Sequence, residues 1–217
     1  MLVLTIDQQG SRRLGDRVQE LLASFDTTPS LAADAPGVVR PFERTVGDEV
    51  QCVLDDAALG VDVVLAVLRR GGWSVGVGAG PVDEPLPAST RAGSGPAFVL
   101  AREAVEHAKS RGRAVPVAVG GVRPDRAAEA AAVLTLVGAL AERRTSAGWQ
   151  VIDALQDAGV GARQEDVAER LGITQQAVSQ RLRTALWAEE LAARPLIARL
   201  LDEAAGRDTD EERERPE

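Results

Sequence analysis

Apolar residues in the first half of the chain come in short runs separated by amphipathic stretches. Leu2–Ile6, Val38–Thr45, Glu49–Leu54, Trp73–Ala79 and Val115–Val119 are β-prone and bounded by Gly, Pro or Asp. Ser11–Phe25 places Leu14, Val18, Leu21 and Leu22 on one helical face. Asp55–Arg70 is helical by period and stops at Gly71-Gly72, and Pro96–Arg111 predicts a third helix. Pro29–Gly37 reads as a loop, Gly80–Gly95 as a long turn-rich connection, and Gly47-Asp48 as a hairpin signal. The resulting order, β-α-β-β-α-β-α-β, predicts an α/β sandwich with an antiparallel hairpin in its middle.

From Pro124 the period is helical only. Asp125–Arg144 predicts a connecting helix and Trp149–Ala158 the first helix of a C-terminal unit. The segment QEDVAERLGITQQAVSQRLRTA, Gln164 to Ala185, has the spacing of a DNA-binding helix-turn-helix. Ala168 is small where two helices would cross, Gly172 stands at the turn, and Val178 faces inward. Val167, Leu171, Ile173 and Leu182 supply the rest of a buried side. Outward on the second helix lie Gln175, Gln176, Ser179, Gln180 and Arg183, with Arg181 beside them, polar groups suited to base edges and phosphates. Thr174 and Gln164 open the two helices and join this DNA-binding set. The same apolar spacing also suits a plain helical hairpin; the glutamine-rich face favours DNA. The recognition helix is expected to run past Trp187 until Pro195, followed by a last helix over Leu196–Ala205, with Trp149 and Trp187 closing the core of the unit.

The chain is therefore expected to be α+β. A ferredoxin-like or palm-type sandwich would occupy 1–123, a connecting helix 124–148, an all-α helix-turn-helix domain 149–205, and a tail 206–217. RDTDEERERPE at the end is too charged to pack and is expected to be disordered. No apolar run is long enough to span a bilayer and the start has no basic leader, so a cytoplasmic protein without membrane association is expected. Cys52 is the single cysteine, which excludes a disulfide framework.

Charge tempers the DNA reading. The formal net charge is −8. Residues 1–124 carry 13 basic and 15 acidic side chains, residues 125–205 carry 9 and 12, and the last twelve carry 3 and 6. No segment is basic overall, so phosphate attraction is weak and local, and dimerisation is expected to supply affinity. Arg181 and Arg183 nevertheless stand free of acids between Glu169 and Glu189.

In the sandwich, Asp7 follows the first strand and Asp48-Glu49 lies at the hairpin. In a β-α-β-β arrangement these neighbours bring their carboxylates to one edge, within reach of a shared Mg²⁺ that could carry a nucleotide's phosphates. Read singly, Asp7 ends a strand and Gly47-Asp48 makes a turn. Ser11, Thr90 and Ser94 sit beside glycines at loop-to-helix junctions, where they suit phosphate contact or N-capping. Arg12, Gly47 and Arg102 complete the expected ligand-binding set with Ser11 and Ser94. His107 reads as a surface histidine. Gly76, Gly78 and Gly80 alternate along a strand and form no dinucleotide fingerprint. Three Trp and three Phe are too few for a base-stacking surface.

Several of these strings resemble the SatD family: DQQGSR at Asp7–Arg12, VGDEVQ at Val46–Gln51, VGVGAG at Val75–Gly80, GSGPAFVLAREA at Gly93–Ala104 and TQQAVSQRLRTALW at Thr174–Trp187. The resemblance covers nearly the whole chain up to the tail. The family takes its name from an operon linked to secretion and acid tolerance and implies little biochemistry. Its first domain in turn resembles the palm of class III nucleotide cyclases and diguanylate cyclases. That resemblance implies metal-binding carboxylates at Asp7 and Asp48, with Glu49 beside them, and assigns Arg102 to the transition state. The partner asparagine of the cyclases is replaced by Phe98, which cannot hydrogen-bond a developing charge. Lys109, the only lysine, falls too late on its helix to specify a purine.

Two functions follow as expectations. The first is a homodimeric DNA-binding transcriptional regulator whose palm-like domain is non-catalytic and serves nucleotide or ligand sensing, or dimerisation. The alternative is a Mg²⁺-dependent nucleotide cyclase or nucleotidyltransferase regulated by double-stranded DNA.

Overall fold

The computed structural model describes residues 1–110, 112–159 and 161–207. The first half of the chain forms one mixed sheet of β1 (Leu2–Gln8), β2 (Val38–Arg44), β3 (Glu49–Leu54), β4 (Trp73–Ala79) and β5 (Val117–Gly121). Their order is β2-β3-β1-β4-β5. β1 is antiparallel to β3 and β4, β2 is antiparallel to β3, and β4-β5 is parallel. The α+β class and the order of strands and helices agree with expectation. The β2-β3 hairpin lies at one edge of the sheet, and β1 holds the middle.

Side chains of the central strands divide with period two, as a pleated strand requires. Leu2, Leu4 and Ile6, Val50, Cys52 and Leu54, and Trp73, Val75, Val77 and Ala79 belong to one large core. This face is covered by α2 (Val18–Asp26), α3 (Ala57–Arg70), α5 (Pro124–Glu142) and α9 (Trp187–Ala204). Val3 and Val53 point to the other face and pack with Phe98 and Ala101 of α4 (Pro96–Ala108). Below them Gln51 Nε2 donates to Thr5 Oγ1 at 3.0 Å, which satisfies two buried polar groups between neighbouring strands.

Glycine decides how close α4 comes. A Cβ on Gly76 would stand 2.2 Å from the Val105 nitrogen, and one on Gly78 would stand 2.0 Å from the Ala97 carbonyl oxygen. The helix backbone thus rests directly on β4. The alternation of Gly76 and Gly78 along one strand face is a packing device for that helix.

The Gly80–Gly95 connection folds over β2 and β3. Glu43 anchors it, accepting from Ser89 Oγ at 2.6 Å, Thr90 Oγ1 at 2.9 Å and the Arg91 N–H at 3.1 Å. Burial pushes the Glu43 carboxyl upward, but these hydrogen bonds outweigh it and hold the group below the usual glutamate range. Stability from this anchor is present above the unfolded value and is lost as pH falls through the lowered folded value. Glu43→Gln is expected to lower the melting temperature at neutral pH and to flatten the acid limb of a pH–stability curve. An unchanged acid limb would remove Glu43 from that role.

Several expected elements differ from the structure. The helix over Ser11–Phe25 is two: α1 (Ser11–Leu14) and α2, parted at Gly15. Buried Gln8 ties the break to the end of β1, donating to the Gly15 carbonyl at 2.6 Å and accepting from the Arg17 N–H at 2.8 Å. Leu14 consequently turns outward, 56% exposed, off the expected apolar face. The fifth strand begins at Val117 rather than Val115, after Pro116, which has no N–H to give a ladder. The third helix ends at Ala108; Arg111, its expected end, lies outside the described residues.

The expected recognition helix does not run to Pro195. It ends at Thr184, and Leu186 adopts a left-handed φ of 51° before α9 begins at Trp187. Conversely, α9 passes through Pro195 without ending there. An interior proline costs about 3 kcal/mol. Burial of Ile197, Leu200, Leu201 and Ala204 in the large core offsets that cost, at roughly 1.5–3 kcal/mol for each large side chain. The last part of the expected C-terminal unit therefore packs on α3 and α5 in the sheet layer. The expected disordered tail is Gly206 and Arg207 within the structure, with 208–217 outside the described residues.

Candidate functional site

Three short helices carry the first candidate surface: α6 (Ser146–Asp157), α7 (Gln164–Leu171) and α8 (Gln175–Thr184). Each start has a local reason. The Thr145 hydroxyl accepts from the Gly148 N–H at 3.1 Å, Asp166 Oδ2 from the Arg163 N–H at 3.2 Å, and the Thr174 hydroxyl from the Ala177 N–H at 3.1 Å. Gly172 ends α7 at φ 64°, where an L side chain is disfavoured, so only Gly172, Ile173 and Thr174 separate the helices. Val151, Ala154, Val167, Ala168 and Val178 make the core, closed by Leu155, Leu171, Ile173 and Leu182. Every apolar position singled out in Gln164–Ala185 lies in this cluster.

The polar side of α8 is uncommitted. Gln175, Gln176, Gln180 and Arg183 are exposed, and Ser179 and Arg181 are half-buried. Among the described residues, none of these six side chains makes a hydrogen bond or ion pair with the rest of the protein. Gln164 is half-buried at the start of α7, and Thr174 is exposed with its hydroxyl engaged as a cap. Nearby cations on and just before α7 are already matched, Arg170 to Asp157 at 2.9 Å and Arg163 to Glu165 at 2.6 Å.

The tryptophans do more than close the three-helix core. Trp187 packs with Ile152 and Ala185, with Trp149 alongside, yet both indoles are also faced by arginines from other elements. The Arg69 guanidinium of α3 lies 3.9 Å from the Trp149 ring centre and bonds Asp153 of α6 at 2.5 and 2.7 Å. Arg144 stands over Trp149 at 4.8 Å and Trp187 at 5.6 Å, and its Nε donates to the Ala185 carbonyl at 2.7 Å. Arg144 and Glu190 are 1% and 2% exposed and approach to 2.6 Å. Neither Arg144 Nη1 nor Glu190 Oε2 has an aligned hydrogen-bond partner. The contact is thus an ion pair with poor hydrogen-bond geometry. Arg194 reaches Glu190 from the same helix and Asp62 of α3 at 2.6 Å. Asp62, Arg69, Trp149, Trp187, Glu190 and Arg194 border a groove of about 500 Å³ between α3 and the helical unit. Periodicity marked Trp149 and Trp187 but carried no sign of Arg69, Arg144, Glu190 or Arg194.

A second candidate lies at the far end of β1. Asp7 pairs in register with Glu49 across β1-β3 and with Ser74 across β1-β4. Asp7, Thr5 and Val3 share the α4 face, as do Glu49, Gln51 and Val53, so the two carboxyl groups emerge on the same side. The Asp48 carbonyl accepts from the Gln8 N–H at 3.2 Å, and Glu49 Oε1 accepts from Thr45 Oγ1 at 2.5 Å. Lys109, just past the end of α4, places Nζ 2.9 Å from Asp7 Oδ2 and 2.8 Å from Glu106 Oε1. Burial raises the Asp7 carboxyl above its ordinary value; Lys109 opposes this and Asp48 and Glu49 add to it. Burial acts to lower the Lys109 ammonium, but hydrogen bonds to Glu106 and Asp7 overcome it and the ammonium is raised. Asp7, Gln8, Gln9, Ser74, Lys109 and Arg113 line a groove of about 590 Å³ at this edge.

The donor set here does not fit Mg²⁺ as it stands. A hard divalent ion needs oxygen ligands around it, and Asp7 is already engaged by an ammonium group. Sequence reasoning set Lys109 aside; its only signal was being the one lysine among 25 basic residues.

The expected ligand-binding residues do not all meet. Ser11 and Arg12 on α1 and exposed Gly47 in the hairpin turn lie toward the Asp7 edge. Ser94 is at the opposite end of α4, its hydroxyl donating to Asp83 Oδ2 at 2.8 Å. The Ala97 N–H there donates to the Pro81 carbonyl, just beyond the strand end that pairs with Leu2. Arg102 is exposed midway along α4, and Thr90 is buried as part of the Glu43 anchor. Phe98, one turn before Arg102, is a core residue packed beneath Gly93. His107 is exposed. No helix among the described residues is long and apolar enough to cross a membrane. Comparison with family models, with curated proteins and with solved structures returned no match.

Proposed function

We propose that the protein is a DNA-binding transcriptional regulator, in which α7, the Gly172–Thr174 turn and α8 act as a helix-turn-helix. The observation that carries this reading is the row of uncommitted polar side chains on α8, mounted on a closed three-helix core. Long polar side chains left without protein partners on a rigid helix are available to base edges and phosphates. In this reading α8 enters the major groove, Gln175, Gln176, Ser179 and Gln180 face bases, and Arg181 and Arg183 face phosphates. The free N–H groups at the start of α8 offer a further phosphate contact. The sheet domain is then a palm-like module similar to that of the SatD family, in which β2-β3-β1-β4 follow a ferredoxin-like order. It pairs subunits or senses a ligand. The low positive charge calls for two-fold pairing, with half-sites about one helical turn apart.

Selection of random duplex DNA by the purified chain tests the reading and is expected to return an inverted-repeat site. Replacing Gln176 and Gln180 by alanine is expected to relax sequence preference at the bases they face, at about 1–3 kcal/mol of discrimination for each bidentate contact. Absence of any enriched sequence, or an identical preference in the double variant, contradicts the assignment.

A second reading, a Mg²⁺-dependent nucleotide cyclase or nucleotidyltransferase, is favoured by the Asp7–Glu49 pairing at one strand edge. Phe98 in the core and Lys109 on Asp7 weigh against it. ATP or GTP turnover that vanishes in Asp48→Ala would establish it.

A further inference from the structure

We propose that Lys109 is the resident cation of the carboxylate edge, and that its ammonium group takes the place a divalent ion holds in a palm-type site. Asp7 and Glu49 are direct cross-strand partners on one face, and like charges directly opposite destabilise a sheet. Asp48 adds a third carboxylate at the same hairpin. Such an edge needs positive charge, and it must come from solvent or from the chain. Asp7 has only 16% of its side chain exposed, so a loosely held counter-ion compensates it poorly.

The chain supplies the charge from α4. Because α4 rests by its backbone on Gly76 and Gly78, its C-terminal end is held at a set depth over the sheet. Lys109 caps that end, and from there Nζ bonds both Asp7 Oδ2 and Glu106 Oε1. A hydrogen bond to Glu106 and an ion pair with Asp7 hold the ammonium at the inner strand carboxylate. A cation approaching Asp7 would have to displace it. An ammonium carries one charge and donates hydrogen bonds; it does not polarise a phosphoryl oxygen as a divalent ion does. The edge is therefore built for compensation and for metal-independent contact with ligands in the adjoining groove. This inference rests on the palm-like reading of the sheet and not on the DNA-binding reading of α8.

Thermal melts and calorimetric titrations of the full chain with MgCl₂ and MnCl₂ test it. The wild type and Lys109→Arg are expected to show no metal-dependent shift. Lys109→Gln is expected to melt lower in chelator and to recover on the order of 5 °C at saturating Mn²⁺, with one ion bound. That gain should disappear when Asp7→Asn is added. Lys109→Met serves as a second uncharged variant, refolded in Mn²⁺ where Lys109→Gln does not fold in chelator. Metal binding by the wild type that is lost in Asp7→Asn overturns the inference while sustaining a palm-type metal site. Folded Lys109→Gln and Lys109→Met that take up no metal overturn the inference and the palm reading of this edge together.

Discussion

Gly78→Ala is expected to cost the fold about 3 kcal/mol or more, out of proportion to the single methyl group added. The added Cβ would lie 2.0 Å from the Ala97 carbonyl oxygen and 2.4 Å from the Ala101 nitrogen. Both are backbone atoms of α4, so no rotamer change relieves the clash. The helix must rise from β4, and Phe98, Ala101 and Val105 lose part of their packing as it does. Gly148→Ala provides the contrast. It sits in helix α6, with the nearest atoms to an added Cβ at 3.5 Å. There alanine is expected to be neutral or to stabilise by roughly 0.5–1 kcal/mol, because it lowers the entropy lost on forming a helix. Denaturant midpoints at constant slope measure both. A Gly78→Ala protein within about 0.5 kcal/mol of wild type, the range of ordinary surface substitutions, would mean that α4 is not seated on β4 by its backbone.

Glu190→Gln is expected to destabilise the protein by roughly 3–5 kcal/mol, because it leaves the Arg144 guanidinium buried without a counter-charge. The pair is almost fully excluded from water and poorly aligned for hydrogen bonding. Its retention therefore reflects the cost of breaking it more than any large net gain from making it. A double-mutant cycle separates these terms. Arg144→Met alone strands Glu190 less severely, since Arg194 still bonds Glu190 Oε1 at 3.0 Å. Arg144→Met with Glu190→Gln removes both charges of the pair and is expected to recover more than half of the Glu190→Gln loss. Arg144 also covers Trp149 and Trp187, so recovery stays incomplete. Additive losses across the cycle would show that the two charges do not compensate each other. The pair joins the end of α5 to the start of α9, beside the indoles that abut the three-helix unit. Under the proposed DNA-binding function, DNA affinity of the folded double variant reports whether this junction orients α8.

Local pattern reached a definite depth in this chain. Glu49–Leu54 and Trp73–Ala79 have the bounds that their alternation and flanking turns predict. The apolar set Val167, Ala168, Leu171, Ile173, Val178 and Leu182 meets in one cluster, because helical period and a left-handed glycine act within a few residues. Helix bounds differ from the local pattern where a group outside the helix intervenes. Gln8 splits the first helix from across the β1 turn, and the sheet core carries α9 through Pro195. In both places tertiary burial or hydrogen bonding exceeds local propensity, which amounts to about a kcal/mol per residue or a few for proline.

The sequence by itself determined the α+β class, the order of the elements, the face that α8 leaves polar, and the neighbourhood of Asp7 with the hairpin. Each depends on periodicity, turn chemistry or the adjacency of strands close in the chain. Only the tertiary structure decided that Lys109 lies on Asp7, that Gly76 and Gly78 are a helix seat, and that Arg144 meets Glu190 between two tryptophans. Those contacts join residues far apart in sequence. Their energies come from burial and charge compensation, which exist only once the layers have closed and water has left.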